Sequence, residues 1–166
     1  MAQTDPTPRD PIGNHCEPKS GGPGALSRWM QRNANARTNR KIRRGKGTFM
    51  GMDVLILHTV GRRSGQPRET PLMHLSDGRG GLLIVASGGG GRNPDWHSNV
   101  VAHPDRVSIE MPGRNPVPVT AHELEGDDRE QAWHQVATAQ PRIAKYQSKY
   151  DRKSPLIRLT VMRVVV

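Results

Sequence analysis

The residues best suited to chemistry fall in two glycine-bearing stretches. The first is Gly61-Arg62-Arg63-Ser64-Gly65-Gln66-Pro67-Arg68. Its glycines let backbone amides approach an anion closely. Arg62, Arg63 and Arg68 bring forked, permanently charged donors that match phosphate or carboxylate, and Ser64 and Gln66 add neutral ones. The stretch reads as an anion cradle between two strands. A hairpin turn with solvated arginines is the plainer reading, and the residues alone leave both open. The Walker pattern GxxxxGK[ST] is absent.

The second stretch is Ser87-Gly88-Gly89-Gly90-Gly91-Arg92-Asn93-Pro94-Asp95-Trp96. Ordering four glycines costs ~1 kcal/mol or more of backbone entropy each, so close backbone approach is the expected return. Asn93 as N-cap and Pro94 at the first helical position predict a helix start. The free amides there favour an anion or a ring carbonyl. Ser87 can donate to a bound heterocycle and Trp96 can wall it; a flexible loop and a core tryptophan are the alternative.

Little else in the chain is reactive. The seven histidines lack ligand spacing, GxSxG is missing, and the single cysteine, Cys16, lies in a Pro/Gly-rich stretch. No metal is expected. With neither a metal site nor a nucleophile relay, the reaction is expected to be carried by a cofactor that the protein holds and orients.

The elements that must position these stretches follow from periodicity. Residues 54–60 (VLILHTV) read as a buried strand and 68–76 as its return. Residues 82–87 form a third strand after the Asp77-Gly78 turn. A short helix follows Asn93. Residues 107–111 and 117–124 make a second hairpin, with Pro116 and Pro118 predicting an edge or bulge. Asp127 with Glu130 forms a capping box for a helix to about Gln140, interrupted by Pro141. Residues 156–166 make a last strand. About six strands joined by hairpins predict a mainly β (α+β) antiparallel barrel with short flanking helices.

The chain has 166 residues, 33% of them hydrophobic, with mean hydropathy −0.72 and net charge +10. Residues 1–46 hold ten Lys/Arg against three acids, and the rest fifteen against twelve. The excess charge is therefore local and reports an anionic contact rather than core chemistry. Residues 1–24 read as a disordered Pro/Gly-rich tail, 25–46 as a basic helix, and 47–166 as one domain. The helix either packs on the domain with a solvated face or lies peripherally on an anionic membrane. Nucleic acid is not expected, since stacking aromatics are not interleaved. The oligomeric state is left open. Without a secretory signal or an apolar run long enough to span a bilayer, the expectation is cytoplasmic, possible membrane contact being on the inner face.

The two stretches in order, LHTVGRRSGQPRETPL then LLIVASGGGGRNPDWHSNVVAHPDRVSIE, resemble the deazaflavin-dependent nitroreductase and quinone reductase family of actinobacteria. The match runs from about Thr48 onward. The resemblance implies a six-stranded split β-barrel, like those that bind FMN, and coenzyme F420, an 8-hydroxy-5-deazaflavin with a phosphate and glutamate tail. FMN is the lesser alternative. By position, Arg62, Arg63, Gln66 and Arg68 match tail contacts, Thr70 and Pro71 the approach to the ring, and Ser87 with Gly88 and Gly89 the ring contact. Asn93, Pro94 and Trp96 match the closing segment, and Asn99 its support. The acceptor implied is a quinone, nitro compound or other conjugated molecule, with Tyr146, Ser87 or water supplying the proton. The chain departs from the nitroreductase subgroup at Met73, Gln140 and Ile143, where that subgroup has tyrosines. Its glycine loop is about one residue short and has Gly88 where lysine is usual. A non-catalytic deazaflavin, flavin or lipid carrier is the second reading.

Overall fold

Alternating apolar residues zip the chain into one curled sheet. In the computed structural model, residues 25–88 and 92–162 are described, the first six by backbone alone. The expectation for residues 1–24 falls outside them, as do Gly89–Gly91 and the last four residues. β1 (Thr48–Phe49) turns into β2 (Met52–Val60), which pairs antiparallel with β3 (Pro67–Met73) from Val60↔Pro67 to Val54↔Met73. After His74 the same segment becomes β4 (Leu75–Ser76) and pairs with β5 (Leu82–Val85). On the other side of β2 lie β6 (Val107–Glu110), β7 (Val117–Glu123) and β8 (Leu156–Val161), and β8 returns to β5. One segment, β3–β4, thus borders both margins of the sheet and curls it into an antiparallel split barrel, as expected, of six strands when β3–β4 counts as one and the short β1 is set apart.

Three apolar clusters hold it. Leu55, Leu57, Ile84, Ile109, Val119, Ile157 and Leu159 fill the barrel, joined by Trp96 and Val100 from α2 (Asp95–Ala102). On the outside, Leu83 and Leu156 pack on Ala132 and Val136 of α3 (Gly126–Ala139), with Ile143 of α4 (Pro141–Gln147) beside them. Val54 and Ile56 pack on Ile42 of α1 (Ala25–Arg43). Adjacent strand residues therefore serve different layers, as a period of two requires.

α1 is tied down by charge as well. Arg43 binds Glu110 and Glu69, both at 2.8 Å, His58 Nε2 lies 3.0 Å from Glu110, and Asn39 donates to Glu69. Burial alone would raise the pKa of Glu110, but hydrogen bonds from Arg43 and His58 outweigh it and hold the carboxyl below its usual range. The helix read from the sequence is thus clamped onto the barrel through Asn39, Ile42 and Arg43, with most of its other described side chains exposed.

Four local expectations differ. α2 begins one residue late: Pro94 is the N-cap, because the Asn93 side chain is engaged by Arg152 instead of capping. α3 begins at Gly126 without a side-chain cap, and Glu130 pairs with Arg129 and Lys153 rather than closing a box. β7 lies between β6 and β8 rather than at an edge. Its Pro118 sits near one end, opposite Ser108, and accepts from the Met162 amide. The β1–β2 hairpin was not anticipated.

Candidate functional site

Register gives the barrel two ends. The 61–66 turn, Ser87, both ends of α2 and the start of β8 share the upper one. The β1–β2 hairpin, the 77–81 and 112–116 turns and the end of β8 share the lower one. A cavity of about 640 Å³ lined by Arg79, Arg158 and Val161 lies at the lower end, away from the two candidate stretches.

At the upper end those stretches meet. The Arg62 amide donates to the buried Asn99 Oδ1 at 3.0 Å, and the Arg62 guanidinium lies 3.6 Å from Asp95. Arg92 reaches the same Asp95 at 3.7 Å. Helix α2 therefore joins the arginine turn to the residues that follow the glycine run.

The turn is closed by its own backbone. Gly61 donates to Gln66 at 2.9 Å and Gly65 to Gly61 at 2.8 Å. A Cβ at Gly61 would lie 2.6 Å from Ser64 Oγ, and that hydroxyl accepts from the Gln66 amide and from Arg68. Arg62, Arg63 and Gln66 stand exposed and Arg68 is half-buried. Arg62 and Arg92 thus share the carboxylate of Asp95, while the Arg68 guanidinium stays on the turn at Ser64.

Thr70 and Pro71 separate. Thr70 shares the strand face of Arg68 and of Leu72, which packs on the barrel core. Pro71 shares the opposite face with Glu69, the face bound by α1. Trp96 is buried in the core, edge-on to His97 at 6.2 Å, so it supports α2 from inside the barrel. Met73 lies at the far end of β3 from Arg68.

The glycine loop is held from outside by Arg152 and Gln147, which sequence reasoning missed, and by Tyr146, which it named as a proton donor. Arg152 donates to the Ser87 carbonyl at 2.8 Å and to Asn93 Oδ1, so it bridges the two ends of the loop. Gln147 fixes the Arg152 segment, donating to its carbonyl while accepting from the Ser154 amide at 2.8 Å. Tyr146 donates to the Gly88 carbonyl at 3.0 Å. The neighbouring Tyr150 hydroxyl, aided by partial burial, holds the Tyr146 phenol above its usual pKa, so it stays protonated at neutral pH. Gly88 has φ +59°, and a Cβ there would meet the Arg92 carbonyl at 2.6 Å. Among the described residues the Ser87 hydroxyl has no partner. No signal marked Arg152: it belongs to no motif, and its guanidinium reaches residues 59 and 65 positions away.

A split barrel whose upper end joins a cationic turn to a glycine loop defines a cofactor-binding oxidoreductase of the split-barrel class. The family model described as F420H(2)-dependent quinone reductase matches residues 29–161, and the chain belongs to that family. It is 33% identical to an F420H(2)-dependent quinone reductase of Mycobacterium tuberculosis, over 81% of this chain and 97% of that one. Among solved structures, the F420-H2 dependent reductase FDR-A is 38% identical with a TM-score of 0.56, covering 64% of this chain and 92% of that one. Another, described as a domain-swapped dimer, is 33% identical with a TM-score of 0.57, covering 81% and 99%. The protein is an oxidoreductase, and coenzyme F420 is its cofactor. The donor set at the upper end fits such a group: three guanidiniums within seven residues suit an acidic tail, and the Gly88 cradle leaves backbone open where any side chain would clash.

Proposed function

We propose that the upper end of the barrel grips coenzyme F420 between the arginine turn and the glycine loop, and that a quinone is reduced there. The observation that carries this reading is the Arg62–Asn99–Asp95 junction, which brings both stretches to one place. Arg62, Arg63 and Arg68 neutralise the phosphate and glutamate tail, with Gln66 as a neutral contact. Thr70 lies on the same strand face as Arg68, toward the ring. Ser87 offers its hydroxyl to the ring and Gly88 its backbone.

When bound, the reduced coenzyme supplies a hydride. The chain's part is to hold an acceptor at near-attack distance. Tyr146 already donates its proton to Gly88, so in this arrangement it positions the loop, and solvent water brings the proton. Nitro and other conjugated acceptors fit the same chemistry as secondary substrates.

The test is titration of the purified protein with coenzyme F420, followed by addition of menadione to the reduced complex. Micromolar or tighter binding and oxidation of the coenzyme are expected, with Arg68→Ala weakening binding more than turnover at saturation. Binding without oxidation across a panel of acceptors would make the protein a carrier. A bound yellow flavin after purification would favour FMN.

A further inference from the structure

Among the described residues eight large apolar side chains stand exposed, and Phe49, Met50, Val117, Val161 and Met162 are among those that gather at the lower end of the barrel. Val117 and Val161 continue the inward rows of Val119 and Leu159 past the last core layer, into the barrel mouth. Phe49 and Met50 project furthest, at 57% and 67% exposure.

The hairpin that carries them is unusual. Phe49 pairs with Met52, leaving the two-residue loop Met50-Gly51 with φ of 51° and 77°. Such a loop needs positive φ at both positions, which Asn and Gly adopt most readily. A bulky methionine there is strained, and at its exposure it gains little packing within the chain. The return on that strain lies outside the fold.

The charge around this end is one-sided. Lys41, Arg44 and Lys46 lead into the hairpin, and all three are exposed. Arg114 is drawn beside them, since the Gly113 amide donates to Ile42 at 3.3 Å. Arg79 stands on the third turn, above the cavity of about 640 Å³ that Arg158, Thr160 and Val161 also line. Against these stand Asp53, exposed opposite Thr48, and Asp77, which is buried and occupied by Arg158 and its own turn amides. A second copy of this chain would bring the same cations and be repelled.

We propose that this end docks on an anionic lipid bilayer. Phe49 and Met50 enter the boundary between headgroups and acyl chains while the surrounding lysines and arginines meet lipid phosphates, the division of labour of interfacial binding segments. β2 spans about 26 Å from its first residue to its last. Docking through the lower end therefore leaves the arginine turn facing water, from which a polyanionic ligand must arrive. The membrane contact thereby moves from the whole basic helix to the hairpin and its rim.

The experiment is co-sedimentation of the full chain with phosphatidylcholine vesicles, with and without phosphatidylglycerol. Binding is expected only with phosphatidylglycerol and should weaken with salt. Phe49→Ser with Met50→Gly should lower vesicle affinity roughly tenfold or more, while the melting temperature of the Met50→Gly single variant stays level or rises, because its turn is relieved. Arg32→Glu with Arg37→Glu, on the helix away from the rim, should retain most of the binding. Vesicle binding unaffected by the hairpin changes, or abolished only by the helix changes, overturns the proposal. So does binding to neither vesicle, or a dimer in size-exclusion chromatography that the hairpin variant dissolves.

Discussion

Replacing Arg152 by methionine keeps the aliphatic stem but removes both links across the glycine loop. The lost bonds go from a guanidinium to the Ser87 carbonyl and to Asn93 Oδ1. A hydrogen bond to a charged group contributes about 1.5–3 kcal/mol. Arg152 is half-buried, so water recovers part of this, and about 2 kcal/mol for the pair is a fair sum. That energy falls on a local equilibrium: the barrel core is untouched, and the loop opens more often. If the coenzyme binds only the closed loop, apparent affinity falls with the closed fraction. A closed loop favoured by about 1 kcal/mol would then become about 1 kcal/mol unfavourable, and binding would weaken roughly five- to tenfold. Turnover at saturating coenzyme should change much less, since bound coenzyme closes the loop again. Arg152→Lys should fall between, because a single ammonium cannot span both acceptors as a planar fork does. The assay is fluorescence titration with coenzyme F420, with the melting temperature followed in parallel. A lowered melting temperature with unchanged affinity, or a fall in turnover alone, would refute the reasoning.

Asn99→Ala should destabilise the protein by about 1–3 kcal/mol, because the Arg62 amide loses its acceptor; Asn99→Asp should preserve the acceptor yet weaken coenzyme binding through its added negative charge, and denaturant melts with titrations separate the two effects. Gly88→Ala should cost about 1–2 kcal/mol from the positive φ alone, with further loss from the contact with the Arg92 carbonyl, and coenzyme affinity should fall with it. His74 is buried with neither ring nitrogen bonded, and burial lowers its pKa against the opposing pull of Asp53. The unfolded chain then takes that proton more readily, so stability should begin to drop as pH falls below about 6.5; in His74→Phe that limb should flatten in pH-dependent chemical denaturation. Glu69 and Glu110 are both held below the usual range, so their stabilisation is present above about pH 4.3 and lost only as pH falls through their lowered values. Arg43→Met should shrink that acid limb, leaving the part that His58 and Asn39 sustain.

What the sequence made legible was what repeats at short range. The apolar run 54–60 and its return had to pair across the Gly61–Gln66 turn, and they do. The arginine turn and glycine loop were visible because glycine and arginine concentrate there. What was hidden depends on closure of the barrel. Arg152 reaches residues that only the pairing of β8 with β5 brings near. Asn93 has a capping residue's identity, yet Arg152 takes its side chain and shifts the helix start by one. Trp96 could have walled a pocket or filled a core, and the docking of α2 into the barrel puts it in the core. The Arg43 network had a faint signal, since His58 and Glu69 fall opposite each other once the hairpin register is fixed, but its third member, Glu110, comes from a distant strand.

The last strand in sequence among the described residues stands in the middle of the sheet. β8 separates β7 from β5 and contributes Ile157 and Leu159 to the barrel interior. While the ribosome still holds that segment, the nascent chain carries two unpaired strand borders and an unfilled interior, which are the surfaces that invite aggregation. The barrel therefore cannot close until β8 has left the ribosome. A chain cut short before Leu156 would lack the element that joins its two halves, however many residues precede the cut.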